Sequence, residues 1–170
     1  MYTIGIDLGG TNIVASVVDD EYKIIGTSKT PTNAPRSADE IFDDISEVCE
    51  EAVKAANLTM ADIDSVGMGT PGTVNQDGII EFANNLAFNN VPARTMLAKR
   101  LNKPEEKIYI ENDANCAALG EAYAGVGNGA KDFVAVTLGT GVGSGVIIDG
   151  KIVNGVNYAG GECGHMVIVV

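Results

Sequence analysis

An internal repeat is the feature of this sequence that most restricts its fold. The matching segments lie in the first and last thirds of the chain: Leu8-Gly9 with Leu138-Gly139, Val17-Val18-Asp19 with Ile147-Ile148-Asp149, and Lys23-Ile24-Ile25 with Lys151-Ile152-Val153. The first two matches share one offset, and the third requires a slightly shorter second turn. Each copy alternates short apolar stretches with turn residues, which predicts strand, glycine-rich turn, strand, turn and strand. The repeat therefore indicates two related units in one chain.

The sequence between the two copies alternates between strand and helix patterns. Strands are predicted over 2–8, 13–18 and 22–27, and a helix follows the capping box formed by Ser37 and Glu40. Later elements are a strand at 65–69, a turn at 75–78, a helix at 92–101, a strand at 107–111 and a helix at 114–124. This alternation predicts an α/β fold.

The second copy stops in an apolar stretch, residues 166–170, which is predicted as a strand. A natural domain rarely ends on such an edge, because an unpaired strand invites association with other chains. We therefore expect a complete first domain over residues 1–112 and the beginning of a second, nucleotide-binding domain over residues 113–170.

Charge and cysteine content restrict the partners. Eleven Lys and Arg residues against 23 Asp and Glu give a formal net charge of −12, which repels nucleic acid and anionic membrane surfaces. Three widely spaced cysteines do not form a disulfide framework, and the N-terminus has no signal-peptide pattern. We expect a cytoplasmic protein without a nucleic-acid or membrane partner.

The first glycine-rich turn, Asp7-Leu8-Gly9-Gly10-Thr11-Asn12, is a candidate phosphate-binding loop. Glycines without a Cβ let successive backbone N–H groups converge on an anion, and the Thr11 hydroxyl can donate to a phosphate oxygen. Asp7 at the strand end could hold Mg²⁺ through water. An ordinary hairpin turn would also account for the two glycines.

The second loop contains Gly139, Thr140 and Gly141 and also suggests a phosphate site. A dinucleotide-binding fingerprint must open a helix, whereas this loop continues into the apolar strand pattern of residues 146–148. Nicotinamide-cofactor binding is therefore disfavoured. One such loop in each copy favours a phosphate chain held between two related domains.

Besides the two candidate phosphate-binding loops, two polar clusters are candidates for binding and catalysis on another substrate. Asp113 follows a predicted strand and begins a helix, a position that suits either a helix cap or a general base. Its neighbour Asn112 adds an amide, and the pair could hold vicinal hydroxyl groups. Glu162 and His165 form a compact polar site between glycines, although a single histidine such as His165 more often has a structural role. Cys163 and His165 suggest a metal site, but the other cysteines lack ligand spacing.

These motifs resemble, in this order, the N-terminal part of the glucokinases of the ROK family (repressors, open reading frames and kinases), whose duplicated fold is the actin-like, ribonuclease H-like ATPase architecture. The resemblance covers essentially the whole chain and is carried by six segments: Asp7–Asn12, Gly69–Val74, Asn84–Leu86, Glu111–Glu121, Leu138–Gly145 and Gly161–His165.

The resemblance implies a role for each group of residues. Asp113 is implied as the catalytic base, and the sugar-binding residues are Gly72, Asn84, Asn112, Asp113, Glu162 and His165. The ATP-binding residues are Asp7, Gly9, Gly10, Thr11, Asn12, Gly139, Thr140 and Gly141, with Mg²⁺ as a cofactor. In such kinases His165 also ligates a structural zinc whose other ligands are cysteines of a later segment, which this sequence does not contain.

The expected function is transfer of the ATP γ-phosphoryl group to the 6-hydroxyl of glucose, by a homodimer in which this chain is an inactive N-terminal fragment. Kinases for N-acetylmannosamine, N-acetylglucosamine or fructose remain alternatives. A sugar-responsive transcriptional repressor of the same family is a third possibility, although it would carry a DNA-binding segment before the first loop. An actin-like or chaperone-like ATPase leaves the cluster of Asn112, Asp113, Glu162 and His165 without a role.

Overall fold

Two compact units, Met1–Glu111 and Asn112–Val170, make up the chain. The structure is a computed structural model that describes residues 1–139 and 141–167. Thr140 and most of the predicted strand at 166–170 lie outside the described residues, and Met166 and Val167 are in no regular element. Among the described residues, no helix is both long and apolar enough to cross a membrane.

The first unit consists of a five-stranded sheet, a small three-stranded sheet and two helices. In chain order its elements are β1 (Tyr2–Leu8), β2 (Asn12–Val18), β3 (Ile24–Pro31), α1 (Ala38–Ala55), β4 (Ile63–Thr70), β5 (Thr73–Val74), β6 (Ile80–Ala83), β7 (Phe88–Val91), α2 (Ala93–Leu101) and β8 (Ile108–Asn112). The large sheet has the order β3-β2-β1-β4-β8, with β1 antiparallel to β2 and parallel to β4. Helices and strands therefore alternate, as the sequence predicts.

Helix α1 begins at the predicted capping box. The Glu40 N–H donates to the Ser37 hydroxyl at 3.3 Å, and the Glu40 carboxylate accepts from the Ser37 N–H at 3.1 Å. The Ser37 hydroxyl also donates to the Glu40 carboxylate at 2.5 Å, and this bond together with that from the Ser37 N–H lowers the pKa of the Glu40 carboxyl group. The apolar face of α1 is buried against β2 and β3, through Ile41, Ile45, Val48, Cys49 and Ala52. The predicted helix is confirmed.

The third strand begins and ends later than predicted, at Ile24–Pro31 rather than at residues 22–27. Tyr22 has a φ of 61°, a left-handed conformation that belongs to a turn. The Asp19 carboxylate accepts from the N–H groups of Glu21 and Lys23 and closes this turn. As an edge strand, β3 alternates weakly between polar and apolar residues, so its bounds are poorly marked in the sequence.

The second unit is smaller and contains α3 (Asp113–Ala124), β9 (Phe133–Leu138), β10 (Val142–Ile148) and β11 (Lys151–Ile152). Its sheet has the order β11-β10-β9, with both pairs antiparallel. A 3-10 turn at Cys163–His165 lies near β10. The strand, glycine turn, strand, turn and strand of the repeat are thus present in both units.

The glycine turn is one residue shorter in the second copy than the sequence match predicts. Leu8 pairs with Ile13 across the first turn, whereas Leu138 pairs with Val142 across the second. Val142 therefore corresponds to Ile13, and the match of Ile147-Ile148-Asp149 with Val17-Val18-Asp19 is wrong by one position. Because a shift of one residue exchanges the two faces of a strand, this register determines which side chains of β10 are equivalent to those of β2.

With the corrected register, one apolar face of the sheet is exposed in the second unit, whereas the equivalent face of the first unit is buried. Leu8 and Ile13 are fully buried in the core of the first unit, but their counterparts Leu138 and Val142 are exposed, Leu138 by 83%. Val134 and Val136 lie on the same face and are also exposed. Helix α3 packs on the opposite face of this sheet, against β9 and β10.

Candidate active site

The first glycine turn is held in shape by backbone and side-chain hydrogen bonds. The Gly9 N–H donates to the Asn12 carbonyl at 2.9 Å, and the Thr32 N–H donates to the Thr11 carbonyl at 2.9 Å. The fully buried Thr32 hydroxyl donates to the Gly9 carbonyl at 2.6 Å. Among the described residues, no acceptor is found for the N–H groups of Gly10 and Thr11. The turn therefore presents donors that an anion could use.

Polar side chains extend from this turn into solvent. Asp7, Thr11 and Asn12 are all exposed. A carboxylate and a hydroxyl beside a turn of backbone donors suit a phosphate group, and the oxygen of Asp7 is the ligand type that Mg²⁺ prefers. The residues present therefore fit a hydrated Mg²⁺ ion held beside a phosphate.

The turn at Asn84–Leu86 lies against the first glycine turn. A Cβ added at Gly10 would come within 3.2 Å of the Asn85 Cβ atom, so these two segments are in direct contact. Leu86 is fully buried and anchors the turn, while Asn84 is exposed. The structure thus brings a predicted sugar-binding residue close to the predicted phosphate loop within the first unit.

Gly72 has a structural reason to be glycine. Its φ is +94°, and a Cβ there would collide with the Phe82 carbonyl oxygen and lie 2.9 Å from the Ala83 Cα atom. The backbone of the β4–β5 turn therefore requires glycine at this position whether or not a sugar lies nearby.

The second glycine turn is more open than the first. Among the described residues, a Cβ at Gly139 or Gly141 would meet no atom within 4 Å. Packing against the described residues therefore does not explain the glycine at either position. Thr140, the third predicted phosphate-binding residue of this turn, lies outside the described residues.

The cap of α3 is Asn112 rather than Asp113. The Asn112 side-chain oxygen accepts from the N–H groups of Ala114 at 2.9 Å and Asn115 at 3.2 Å. Asp113 is the first residue of the helix; its carboxylate is exposed and accepts only from the neighbouring Ala114 N–H at 2.8 Å among the hydrogen bonds described. The capping role considered for Asp113 is therefore filled by its neighbour.

Close packing fixes the position of α3 on its sheet. A Cβ at Gly145 of β10 would lie 2.5 Å from the Ala118 Cβ atom and 2.8 Å from the Ala114 carbonyl oxygen. A Cβ at Gly143 would lie 3.1 Å from the Ala114 Cβ atom. Small residues on both surfaces therefore let the helix approach the strand closely, and its first turn, with Asp113, lies beside the strand that follows the second glycine turn.

The segment that carries Glu162 and His165 is bound to the same strand and helix. The Ser144 hydroxyl of β10 donates to the Gly161 carbonyl and accepts from the Cys163 N–H at 3.1 Å. A Cβ at Gly161 would lie 3.4 Å from the side-chain oxygen of Asn115, which is 5% exposed and lies in the first turn of α3. The Asn115 amide also donates to the Asn154 side-chain oxygen at 3.3 Å. The second unit thus groups α3, β10 and this segment.

Glu162 and His165 face each other across the 3-10 turn. The Glu162 Oε2 and His165 Nε2 atoms are 3.9 Å apart, and the ring is largely exposed. Among residues 1–139 and 141–167, no three His, Cys, Asp or Glu side chains are grouped to hold a metal ion. These residues therefore do not form a zinc site by themselves.

Three polar residues that support the site have no local signal in the sequence. Thr32, Asn115 and Ser144 are all buried, and each contacts a segment that carries predicted site residues. Buried polar groups must be hydrogen-bonded, but their partners lie 17 or more residues away along the chain. The periodicity of a sequence shows which face of a helix or strand a residue occupies, but it cannot identify hydrogen-bond partners so far away along the chain.

Comparison with known proteins identifies the fold and the family. The structure aligns with that of a ROK family glucokinase from Streptomyces griseus in complex with glucose and AMPPNP, with a TM-score of 0.87 and 37% identity over 99% of this chain and 51% of the other. The fold is therefore the α/β, actin-like ATPase fold that the sequence predicts. The ROK family profile matches residues 3–169, and the chain belongs to the ROK family.

Two relatives of known name show the range of sugars within this family. The glucokinase of Streptomyces coelicolor is 39% identical over 168 residues, which are 98% of this chain and 50% of that protein. The N-acetyl-D-glucosamine kinase of Citrobacter koseri is 37% identical over 163 residues, 95% of this chain and 51% of that protein. The chain spans about half the length of these relatives.

Proposed function

We propose that this chain is part of an ATP-dependent hexose kinase that phosphorylates the 6-hydroxyl of glucose. The proposal rests on the different roles of Asn112 and Asp113 at the start of α3. Asn112 caps the helix, so the exposed Asp113 carboxylate is not required for capping and can act on a substrate. The helix N-terminus favours a negative charge at this position.

Each group then has a role in phosphoryl transfer. Asp113 accepts the proton of the sugar 6-hydroxyl while that oxygen forms a bond to the γ-phosphorus, and the bond from phosphorus to the β-γ bridging oxygen breaks. Asn112, Glu162, His165 and Asn84 hold the other hydroxyl groups, since carboxylates, amides and imidazole match hydroxyl donors and acceptors. Gly72 shapes the backbone near them.

The two glycine turns hold the phosphate chain of ATP. The N–H groups of Gly10 and Thr11 supply donors in the first turn. In the second turn the Gly139 N–H donates to the Gly141 carbonyl at 3.0 Å, which closes the turn, and Gly139, Thr140 and Gly141 are proposed to contact the phosphates. Gly9 and Asn12 complete the first turn. Mg²⁺, when bound near Asp7, would neutralise charge on the phosphates. Little covalent chemistry is required of the protein, and accurate positioning supplies most of the rate.

The proposal extends to the state of the protein. We place it in the cytoplasm as a homodimer; three widely spaced cysteines without a disulfide framework suit a reducing compartment. Because the 170 residues span about half the length of the relatives, we expect the 170-residue chain alone to show negligible turnover.

A second candidate is phosphorylation of an N-acetylated hexosamine. The relative from Citrobacter koseri, named for N-acetyl-D-glucosamine, is nearly as similar to this chain as the glucokinase is. We favour glucose because the sequence runs Asn84–Leu86 and Glu111–Glu121 resemble those of glucokinases.

A coupled assay that measures ADP release decides between the sugars. The full natural gene product is incubated with ATP, Mg²⁺ and glucose, fructose, N-acetylglucosamine or N-acetylmannosamine. We expect the highest kcat/KM for glucose. A higher kcat/KM for an N-acetylated sugar would replace glucose as the substrate, and no turnover with any sugar would refute the kinase proposal. The 170-residue chain, assayed in parallel, tests the expected loss of turnover.

A further inference from the structure

We propose that Ser144 is a positioning residue that fixes the backbone around Glu162 and thereby aims the Glu162 carboxylate and the His165 ring. The inference rests on the proposed function, since the groups it positions are those proposed to bind sugar. It concerns a residue of β10 that lies outside every predicted set of site residues.

The backbone around Glu162 forms a tight three-residue turn. Glu162 has φ −75° and ψ 58°, the geometry of an inverse γ-turn, and the Cys163 N–H lies 2.8 Å from the Gly161 carbonyl oxygen. The His165 N–H then donates to the Glu162 carbonyl at 3.2 Å. The directions of both side chains therefore depend on the backbone of residues 161–163.

The Ser144 hydroxyl bridges the two ends of this turn. It donates its proton to the Gly161 carbonyl and accepts from the Cys163 N–H at 3.1 Å, so one hydroxyl contacts the residue on each side of Glu162. Ser144 is only 4% exposed. In a buried setting each of these bonds is strengthened, and loss of the hydroxyl would leave the Gly161 carbonyl and the Cys163 N–H with only the γ-turn hydrogen bond between them.

The strand itself does not require a hydroxyl at this position. In the corrected register Ser144 corresponds to Ala15 of β2, which is fully buried in the core of the first unit. Alanine therefore fits the equivalent place in the same supersecondary structure. The serine in the second copy is explained by what it binds, which is the segment carrying Glu162.

The segment that carries Glu162 and His165 also packs directly against β10, so the Ser144 hydroxyl contacts it at close range. A Cβ at Gly161 would lie 2.9 Å from the Ser144 carbonyl oxygen, and one at Gly164 would collide with the Val142 carbonyl oxygen. Two glycines thus permit the contact, and Ser144 supplies its side-chain hydrogen bonds. Removing the hydroxyl is expected to loosen the turn without removing the contact.

The test uses three variants of the full natural gene product. Ser144→Ala removes the hydroxyl, and its precedent at Ala15 predicts that it folds. Ser144→Thr keeps the hydroxyl on a β-branched residue that suits a strand. Ser16→Ala is the matched control: it removes a hydroxyl from β2, where Ser16 bonds to Thr27 at 2.9 Å in the first unit.

Two readouts are measured, and they separate the failure of this inference from failure of the proposed function. Amide hydrogen exchange at Cys163 reports the turn without any substrate, and we expect Ser144→Ala to accelerate it about tenfold. In the kinase assay we expect the KM for glucose to rise about tenfold, with kcat and the KM for ATP changed less than about threefold. Ser144→Thr should restore both readouts, and Ser16→Ala should change neither.

Unchanged exchange at Cys163 in Ser144→Ala would overturn the inference. A fall in kcat together with a similar rise in both KM values would also overturn it, because it would show a role only in stability. An unchanged KM for glucose would overturn it as well, because it would show no role in sugar binding. If the unsubstituted protein phosphorylates no sugar, the proposed function fails, while the exchange experiment still shows whether Ser144 holds the turn.

Discussion

Gly145 offers a test of how closely α3 must approach its sheet. In Gly145→Ala the new Cβ atom would lie 2.5 Å from the Ala118 Cβ atom. Carbon atoms in contact are about 3.5–4.0 Å apart, so the helix or the strand would have to move by about 1 Å. The Ala114 carbonyl oxygen at 2.8 Å is backbone and cannot rotate away.

The magnitude follows from two opposing effects. Overpacking of this kind costs about 1–3 kcal/mol. Replacing glycine by alanine within a strand returns about 0.5–1 kcal/mol of chain entropy. We therefore expect a net loss of about 0.5–2 kcal/mol in the free energy of opening of α3. A displacement of about 1 Å at Asp113 would also lower kcat by up to about 10²-fold.

The assay is amide hydrogen exchange of α3 residues, which reports the second unit without assuming that both units unfold together. Gly5→Ala is the matched control, because Gly5 lies inside β1 and a Cβ there would meet no atom of the described residues within 4 Å. We expect that variant to be neutral or slightly stabilised. If Gly145→Ala protects α3 as well as the unsubstituted protein does, the close-packing argument is refuted. Adding Ala118→Gly should recover part of the loss if the two Cβ atoms are the cause.

Burial raises the pKa of the Cys49 thiol to about 12 from an ordinary value of 9.0, so iodoacetamide at pH 8 should modify Cys116 and Cys163 in the folded protein and Cys49 only after unfolding. Between about pH 9 and 12 the Cys49 thiol keeps its proton in the folded state and loses it in the unfolded state. The free energy of unfolding should therefore fall as the pH rises through this range, which urea unfolding can measure. Thr32→Val removes the hydroxyl bond to the Gly9 carbonyl and should raise the KM for ATP several-fold. Val134→Thr should weaken self-association of the 170-residue chain in sedimentation experiments, because it makes the exposed apolar face of β9 less hydrophobic; equal association of both forms would exclude that face.

The repeat and the helix signals allowed most of the fold to be predicted. The β1–β2 hairpin and α1 follow from alternation, helical spacing and a capping box, all of which are local patterns. The small sheet of β5, β6 and β7 was not predicted, although its turn at 75–78 was. Its strands have two to four residues, too few for a period to show, and buried side chains such as Ile80 and Phe88 tie them to the core.

Members of the candidate site could be predicted from the sequence where residue type alone limits the chemistry. The glycine turns and the pair Asn112 and Asp113 could be found from the sequence, but not which member of that pair caps α3. The choice depends on the backbone angles of Asn112, which are extended. Ser144 could not be found, because a one-residue difference in turn length decides which face of β10 it occupies.

The kinetic effect of Asp113→Asn tests the central claim most directly. This change removes a proton acceptor while Asn112 still caps α3, so the fold should persist. Asp149→Asn is the matched control: Asp149 is exposed in the same unit and has a φ of 51°, which asparagine tolerates equally well. In the full natural gene product we expect Asp113→Asn to lower kcat for glucose phosphorylation by ~10²–10⁴-fold, with glucose affinity changed by no more than a few-fold and Asp149→Asn unaffected. Turnover of Asp113→Asn equal to that of the unsubstituted enzyme would contradict the assignment of Asp113 as the base.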